Sequence, residues 1–285
     1  MNTTPETGFL QRPDGTRLFW RFARPEAAPK ALVVISHGLA EHSGRYEHVM
    51  RRLLTGGYAV LSVDHRGHGQ SSGKRVFVQR FSEYSDDLQA IVAMGSAKLA
   101  GTSSTPIKVA LLGHSMGGLI CIQHLLDHPG AVQAAVLTGP GLGVAVAVPK
   151  WKDALGRVMS KVWPSLAIPT GISASLVSRD PAVVKAYEDD PMVTKNATAR
   201  WYTEFLDAQT NALAQAQAIR LPVLHMLGGK DGLVSVPAQE VWFKALGSPD
   251  KTLLPYPELF HEILNEPEKN VVMDDLVRWL DARLA

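Results

Sequence analysis

The stretch LLGHSMGGLIC, Leu111–Cys121, sets a serine between glycines where an apolar run gives way to a helical pattern. Gly113-His114-Ser115-Met116-Gly117 has the form G-x-S-x-G. A strand that turns directly into a helix bends so tightly at the central residue that a flanking side chain would meet the backbone, so both flanks are glycine. The serine is held in a strained conformation with its hydroxyl exposed at the head of the next helix. The positive end of that helix then faces any oxyanion formed nearby. Five residues recur by chance; the strand pattern before them (KVALLGHS, 108–115) and the helix pattern after them make the signal specific.

Outward from the serine the same alternation repeats. ALVVISHG (31–38), YAVLSVDHRGHG (58–69), AAVLTGPGLG (134–143), PVLHMLGGKDG (222–232) and TLLPYPELFHEILNEP (252–267) each read as a strand running into a polar loop. YEHVMRRLLTGG (46–57) and EYSDDLQAIVAMGSAKLA (83–100) have helical spacing, as does the tail from Lys269 to Leu284, with Val272, Leu276, Trp279 and Leu280 on one face. Alternation of this kind predicts an α/β fold, a mostly parallel sheet flanked by helices. Residues 144–210 break it. WKDALGRVMSKVW (151–163) puts Trp151, Leu155, Val158, Met159 and Val162 on one helical face, and short pieces punctuated by Pro164, Pro169, Pro181 and Pro191 follow. The expected organisation is a core of residues 1–143 and 211–285 with a helical cap inserted at 144–210.

Composition narrows the function classes. A chain of 285 residues, 46% hydrophobic, can bury a large core as one domain with an insertion. Its net charge of +2 is spread along the chain, without the basic stripe that nucleic-acid binding needs. A single cysteine, Cys121, excludes an internal disulfide framework and fits a reducing compartment; its apolar surroundings make it a buried thiol. The N-terminus lacks the basic start and apolar core of a signal peptide, and no apolar run reaches membrane-spanning length. The expectation is a soluble, cytoplasmic protein of unspecified oligomeric state.

A serine hydroxyl becomes a nucleophile only when an oriented base removes its proton. In a parallel sheet, ligands bind beyond the carboxyl ends of the strands, and His37, Asp64, Ser115, Asp231 and His261 all follow apparent strand ends. Asp231 in GGKDGLV is the candidate acid, because the order Ser…Asp…His suits this arrangement. Asp64 precedes the serine, so it is read as anchoring the Arg66 loop, and Asp207 has no strand before it. Of 10 histidines, His261 follows a strand and precedes the closing helix, which makes it the candidate base; His225 sits inside a strand, and His124 and His128 face away on a helix. His65 and His68, as HRGH, imitate a metal pair but have no third ligand at matching spacing. The oxyanion donors expected are the N–H groups of Met116 and Leu39, in the loop SHGLAEHSGRY (36–46), with His37 bracing that loop.

HGLAEHSGRY, DHRGHGQSSG, LLGHSMGG, GGKDGLV and LFHEILNEP together resemble the monoglyceride lipases and related lysophospholipases of the α/β-hydrolases, from about Gly15 to Leu284. The resemblance implies an ester hydrolase for a monoacylglycerol, working through Ser115, Asp231 and His261 without metal or cofactor. It also implies that Glu41, Arg45 and Tyr187 shape a polar pocket for the glycerol head, although Glu41 and Arg45, four apart, could simply pair with each other. Leu39 stands where a smaller residue is common. Val144, Val146, Val148, Trp151 and Leu155 would offer an apolar lip to a membrane or micelle, or else pack on the core or a second subunit. A lysophospholipase or general carboxylesterase would share the triad. An aminopeptidase would need an acidic pocket for an amine, for which Glu188, Asp189 and Asp190 are candidates, and a non-catalytic binding protein would be expected to have lost a triad member.

Overall fold

In the computed structural model, residues 4–101, 106–145 and 150–285 are described. The chain opens with a hairpin of β1 (Glu6–Gln11) and β2 (Arg17–Ala23), then runs through β3 (Leu32–Ser36), α1 (Glu47–Thr55), β4 (Ala59–Val63), α2 (Ser82–Lys98), β5 (Val109–His114), α3 (Met116–Asp127) and β6 (Ala134–Thr138). After β6 come α4 (Lys150–Val162), β7 (Ala167–Pro169), α5 (Pro181–Asp189), β8 (Asn196–Thr198) and α6 (Ala199–Ala214). The main sheet resumes with β9 (Val223–Gly228), α7 (Val236–Ala245), β10 (Lys251–Tyr256) and α8 (Lys269–Leu284).

Eight strands form one sheet in the order β1-β2-β4-β3-β5-β6-β9-β10, and the six from β4 to β10 are parallel. This is the α/β-hydrolase arrangement. The central strands are buried on both faces, which is why each reads as a continuous apolar run. Successive residues feed opposite layers: Leu32 and Val34 pack with Tyr84, Leu88 and Leu119 on the α2/α3 side, while Val33 and Ile35 pack with Val49, Leu53, Leu276 and Leu280 on the α1/α8 side. The β1–β2 hairpin was not legible as strands. β1 is an edge with mostly exposed side chains, so ETGFLQ carries no buried run, and the hairpin attaches antiparallel through β2 to β4.

The stretch between β6 and β9 treats its two parts differently. Its middle is tied to the loops around the site. The Glu262 N–H donates to Val177 O at 2.8 Å, Thr194 N–H to Ala40 O at 3.0 Å, and Arg179 Nε to Glu266 Oε2 at 2.8 Å. Helix α4 instead packs on α6 through its small residues. Gly156 lies against the Tyr202 ring, and Ser160 Oγ is 2.7 Å from Thr203 Oγ1. Its apolar stripe points outward, with Trp151, Leu155, Val158 and Val162 exposed by 66, 51, 55 and 74% and Met159 half-buried. Val146 and Val148 of the expected lip lie outside the described residues. Among those described, no helix is long and apolar enough to cross a membrane.

Candidate active site

Strand β5 ends at His114, helix α3 begins at Met116, and Ser115 alone makes the turn, with φ 52° and ψ −119°. For a residue with a Cβ such a backbone is strained by about 1–3 kcal/mol and persists only where its surroundings dictate it. Here they do. A Cβ on Gly117 would lie 2.0 Å from Ser36 O, and one on Gly113 would lie 2.6 Å from Gly117 O. The Ser115 N–H donates to Thr138 O at 3.0 Å, and its carbonyl accepts from the Gly141 N–H at 2.9 Å. Cys121 is buried beneath the turn, and burial pushes its thiol up to about 12, so it is an inert packing group.

Asp231, in the loop after β9, fixes one carboxylate oxygen with two backbone donors, Leu233 N–H at 2.9 Å and Val234 N–H at 2.8 Å. The other oxygen is 2.7 Å from His261 Nδ1. An ionised carboxylate can only accept, so Nδ1 carries the hydrogen and Nε2 is left as the base. Burial alone would push the His261 pKa down; the charge and hydrogen bond of Asp231, with Glu262 and Glu41 nearby, leave it above its ordinary value. Burial of Asp231 acts to raise its pKa, but His261 and the two backbone donors hold it below the usual carboxylate range. Ser115 and His261 line one cavity of about 310 Å³ together with Leu39, Met116 and the apolar Trp201 and Phe205. The described contacts contain no Ser115–His261 hydrogen bond. Such bonds are often long before substrate binds.

Leu39 and Met116 both line this cavity, and neither N–H takes part in a hydrogen bond among the described residues. Met116 opens α3, where the first N–H groups have no partner within the helix. The Leu39 loop is held by its neighbours. Gly38 N–H donates to Glu41 Oε1 at 2.6 Å, Ala40 adopts φ 67°, and His37 spans from the Gly38 carbonyl (2.7 Å) to the His65 N–H (3.0 Å).

Glu41, Arg45 and Tyr187 come together, in a different relation from that implied by the resemblance. Glu41 and Tyr187 line the cavity, whereas Arg45 is not among its lining residues. Arg45 Nη1 donates to Glu41 Oε2 at 2.6 Å and to Glu262 Oε1 at 2.7 Å, Nη2 donates to Glu262 Oε2 at 2.7 Å, and the guanidinium lies 4.8 Å from the Tyr187 ring. Glu41 is buried, which by itself would raise its pKa, but Arg45 and the adjacent histidines His114 and His37 bring it down to about 2. Sequence reading missed Glu262; the available signal was an acid directly after the candidate base in the apolar run LFHEIL. Asp64 stays apart from Ser115's cavity and accepts from the Ser43 and Gln70 N–H groups, tying two loops together. His65 and His68 pack beside His37 and Tyr84, and the described residues contain no group of three or more His, Cys, Asp or Glu able to hold a metal ion.

Residues 27–268 match the family described as "Serine aminopeptidase, S33". The chain is 36% identical over 271 residues to a monoacylglycerol lipase of Mycolicibacterium smegmatis, covering 95% of each chain. It is 32% identical over 283 residues to the monoglyceride lipase of Homo sapiens, covering 97% of this chain and 90% of that one. The crystal structure of a Paleococcus ferrophilus monoacylglycerol lipase aligns with a TM-score of 0.83 at 29% identity, covering 93% of this chain and 99% of that one. In sequence and in fold, then, the chain is a serine hydrolase that belongs to the serine aminopeptidase family of α/β-hydrolases, among its monoglyceride lipases.

Proposed function

We propose that this chain hydrolyses monoacylglycerols to fatty acid and glycerol through an acyl-enzyme on Ser115. The observation that carries the reading is the Asp231–His261 hydrogen bond, made by a histidine that lines the same cavity as the strained Ser115. His261 Nε2 takes the Ser115 proton as Oγ attacks the ester carbonyl, and Asp231 stabilises the imidazolium. The Leu39 and Met116 N–H groups receive the oxyanion, each worth about 3 kcal/mol where such donors have been removed elsewhere. The imidazolium returns its proton to the glycerol oxygen as the ester C–O bond breaks. Water then attacks the acyl-enzyme with His261 again as base, releasing the fatty acid and restoring Ser115. The same activity in the names of relatives at 36% and 32% identity supports the substrate class.

Residues 144–210 act in this reading as a cap, with the outward stripe of α4 resting on the lipid surface that holds the substrate. The test is the steady-state rate on 1- and 2-monoacylglycerols beside a triacylglycerol and a lysophosphatidylcholine, with Ser115→Ala as control. The expected result is preference for monoacylglycerols, falling on the order of 10⁶-fold in the variant. A Ser115-dependent preference for lysophospholipid would keep the mechanism and discard the substrate.

A further inference from the structure

We infer that Glu262, together with Glu41, makes the alcohol side of the cavity anionic, so that it takes uncharged, hydroxyl-bearing head groups and turns away phosphate-bearing ones. This rests on the reading of Ser115 and His261 given above and refines its substrate class.

Among the described residues, the charged side chains that line the cavity, setting aside the histidines, are Glu41 and Glu262, with no lysine or arginine beside them. Arg45 is the cation of this cluster, and its donors are spent on the two carboxylates: one bond to Glu41 and a bidentate pair to Glu262. Two carboxylates against one guanidinium leave a net charge of −1. Both carboxylates are buried, so salt and water screen them little. His114, which also faces the cavity, is pushed down to about 4 mainly by burial, helped by the neighbouring His261, and supplies no positive charge at neutral pH. Phosphate recognition ordinarily relies on arginine, lysine or free helix-terminal N–H groups. The helix N-terminus at Ser115 is occupied with the oxyanion.

The same carboxylates suit a polyol. A carboxylate offers about four acceptor positions. Glu41 uses three, for Gly38 N–H, Tyr46 O–H and Arg45, and Glu262 uses three, for Arg45 twice and Asn265 Nδ2. One position on each remains for a hydroxyl donor; a monoacylglycerol brings two hydroxyls, whereas its 3-phosphate keeps one and sets a dianion where the other would be.

The decisive experiment compares kcat/KM for four esters of one short acyl chain, all monomeric in solution: the glycerol ester, its 3-phosphate, the uncharged dimethyl triester of that phosphate, and the ethyl ester. The wild-type protein is expected to use the phosphate ester roughly 100-fold less well than the glycerol ester, and the larger but neutral triester at least ~10-fold better than the phosphate. Equal rejection of phosphate and triester would assign the discrimination to size and overturn the inference. Glu262→Gln is expected to narrow the ratio of glycerol ester to phosphate ester about tenfold. Because both rates come from one variant, a general loss of turnover cancels. A ratio that stays put in a variant still turning over the glycerol ester removes Glu262 from the role. A wild-type protein that hydrolyses the glycerol ester no faster than the ethyl ester refutes the monoacylglycerol reading itself, while the phosphate–triester comparison still decides the charge.

Discussion

At the elbow, a Cβ on Gly117 would sit 2.0 Å from a backbone oxygen; on helix α4, Val162 leaves 74% of its surface open. The first region is hemmed in, on the sides away from the cavity, by chain that cannot yield: Ser36 and His37 backbone, Thr138 and Gly141 bonded to Ser115, and Cys121 beneath. The second meets α6 through small and polar residues, Gly156, Ser160, Asp153 and Arg157, and turns Trp151, Leu155, Val158 and Val162 outward. The contrast shows that rigidity and apolarity are separate quantities. A dense polar and backbone cage fixes the nucleophile, while the four large apolar side chains of α4 that stand exposed do little for the core.

The largest effect that would sharpen this contrast lies in the cage. Asp231→Asn leaves the shape intact but removes the charge that sets the His261 tautomer, so kcat is expected to fall on the order of 10⁴-fold in single-turnover or steady-state assays. Activity needs neutral His261, so in the wild-type protein it is lost as pH falls through a pKa above 6.5. Without the Asp231 charge the residual activity should persist to lower pH. An acid limb that does not move would show that the dyad is uncoupled.

Next comes Gly117→Ala, where a methyl group meets Ser36 and His37 carbonyls that have nowhere to go. A loss of about 3 kcal/mol is expected in thermal or urea unfolding. On α4 the effects should shrink. Ser160→Ala removes the hydroxyl bonded to Thr203 and should cost about 1 kcal/mol. The outward pair Val158→Ser and Val162→Ser should each change stability by less than about 0.5 kcal/mol. The ratio of rates on vesicle-borne to dispersed substrate should nevertheless drop several-fold, read by comparing the two assays on one preparation. Losses of several kcal/mol at Val158 or Val162 would erase the distinction between the two regions and make α4 a core element.

Legibility followed the same physical division. Strands buried on both faces had no choice but to be apolar, so β3, β4, β5, β6 and β9 stood out, and the edge strand β1, half in water, did not. Ser115 was legible because its turn tolerates glycine and little else on either side. Asp231 and His261 were legible because a parallel sheet delivers strand ends to one edge. Glu262 was not, since its meaning depends on Arg45, 217 residues away in sequence, reaching it at 2.7 Å.

By itself the sequence determined the elbow, the parallel sheet and the order of the candidate acid and base, because each is enforced by local sterics or by periodic burial. Tertiary structure alone decided which way α4 faces, that Arg45 serves the two carboxylates without lining the cavity, and that both carboxylates line it. A helical pattern fixes which residues share a face but not what that face meets. An ion pair between distant segments leaves no periodicity to read. Both are settled only when the chain closes and each buried charge must find its partner.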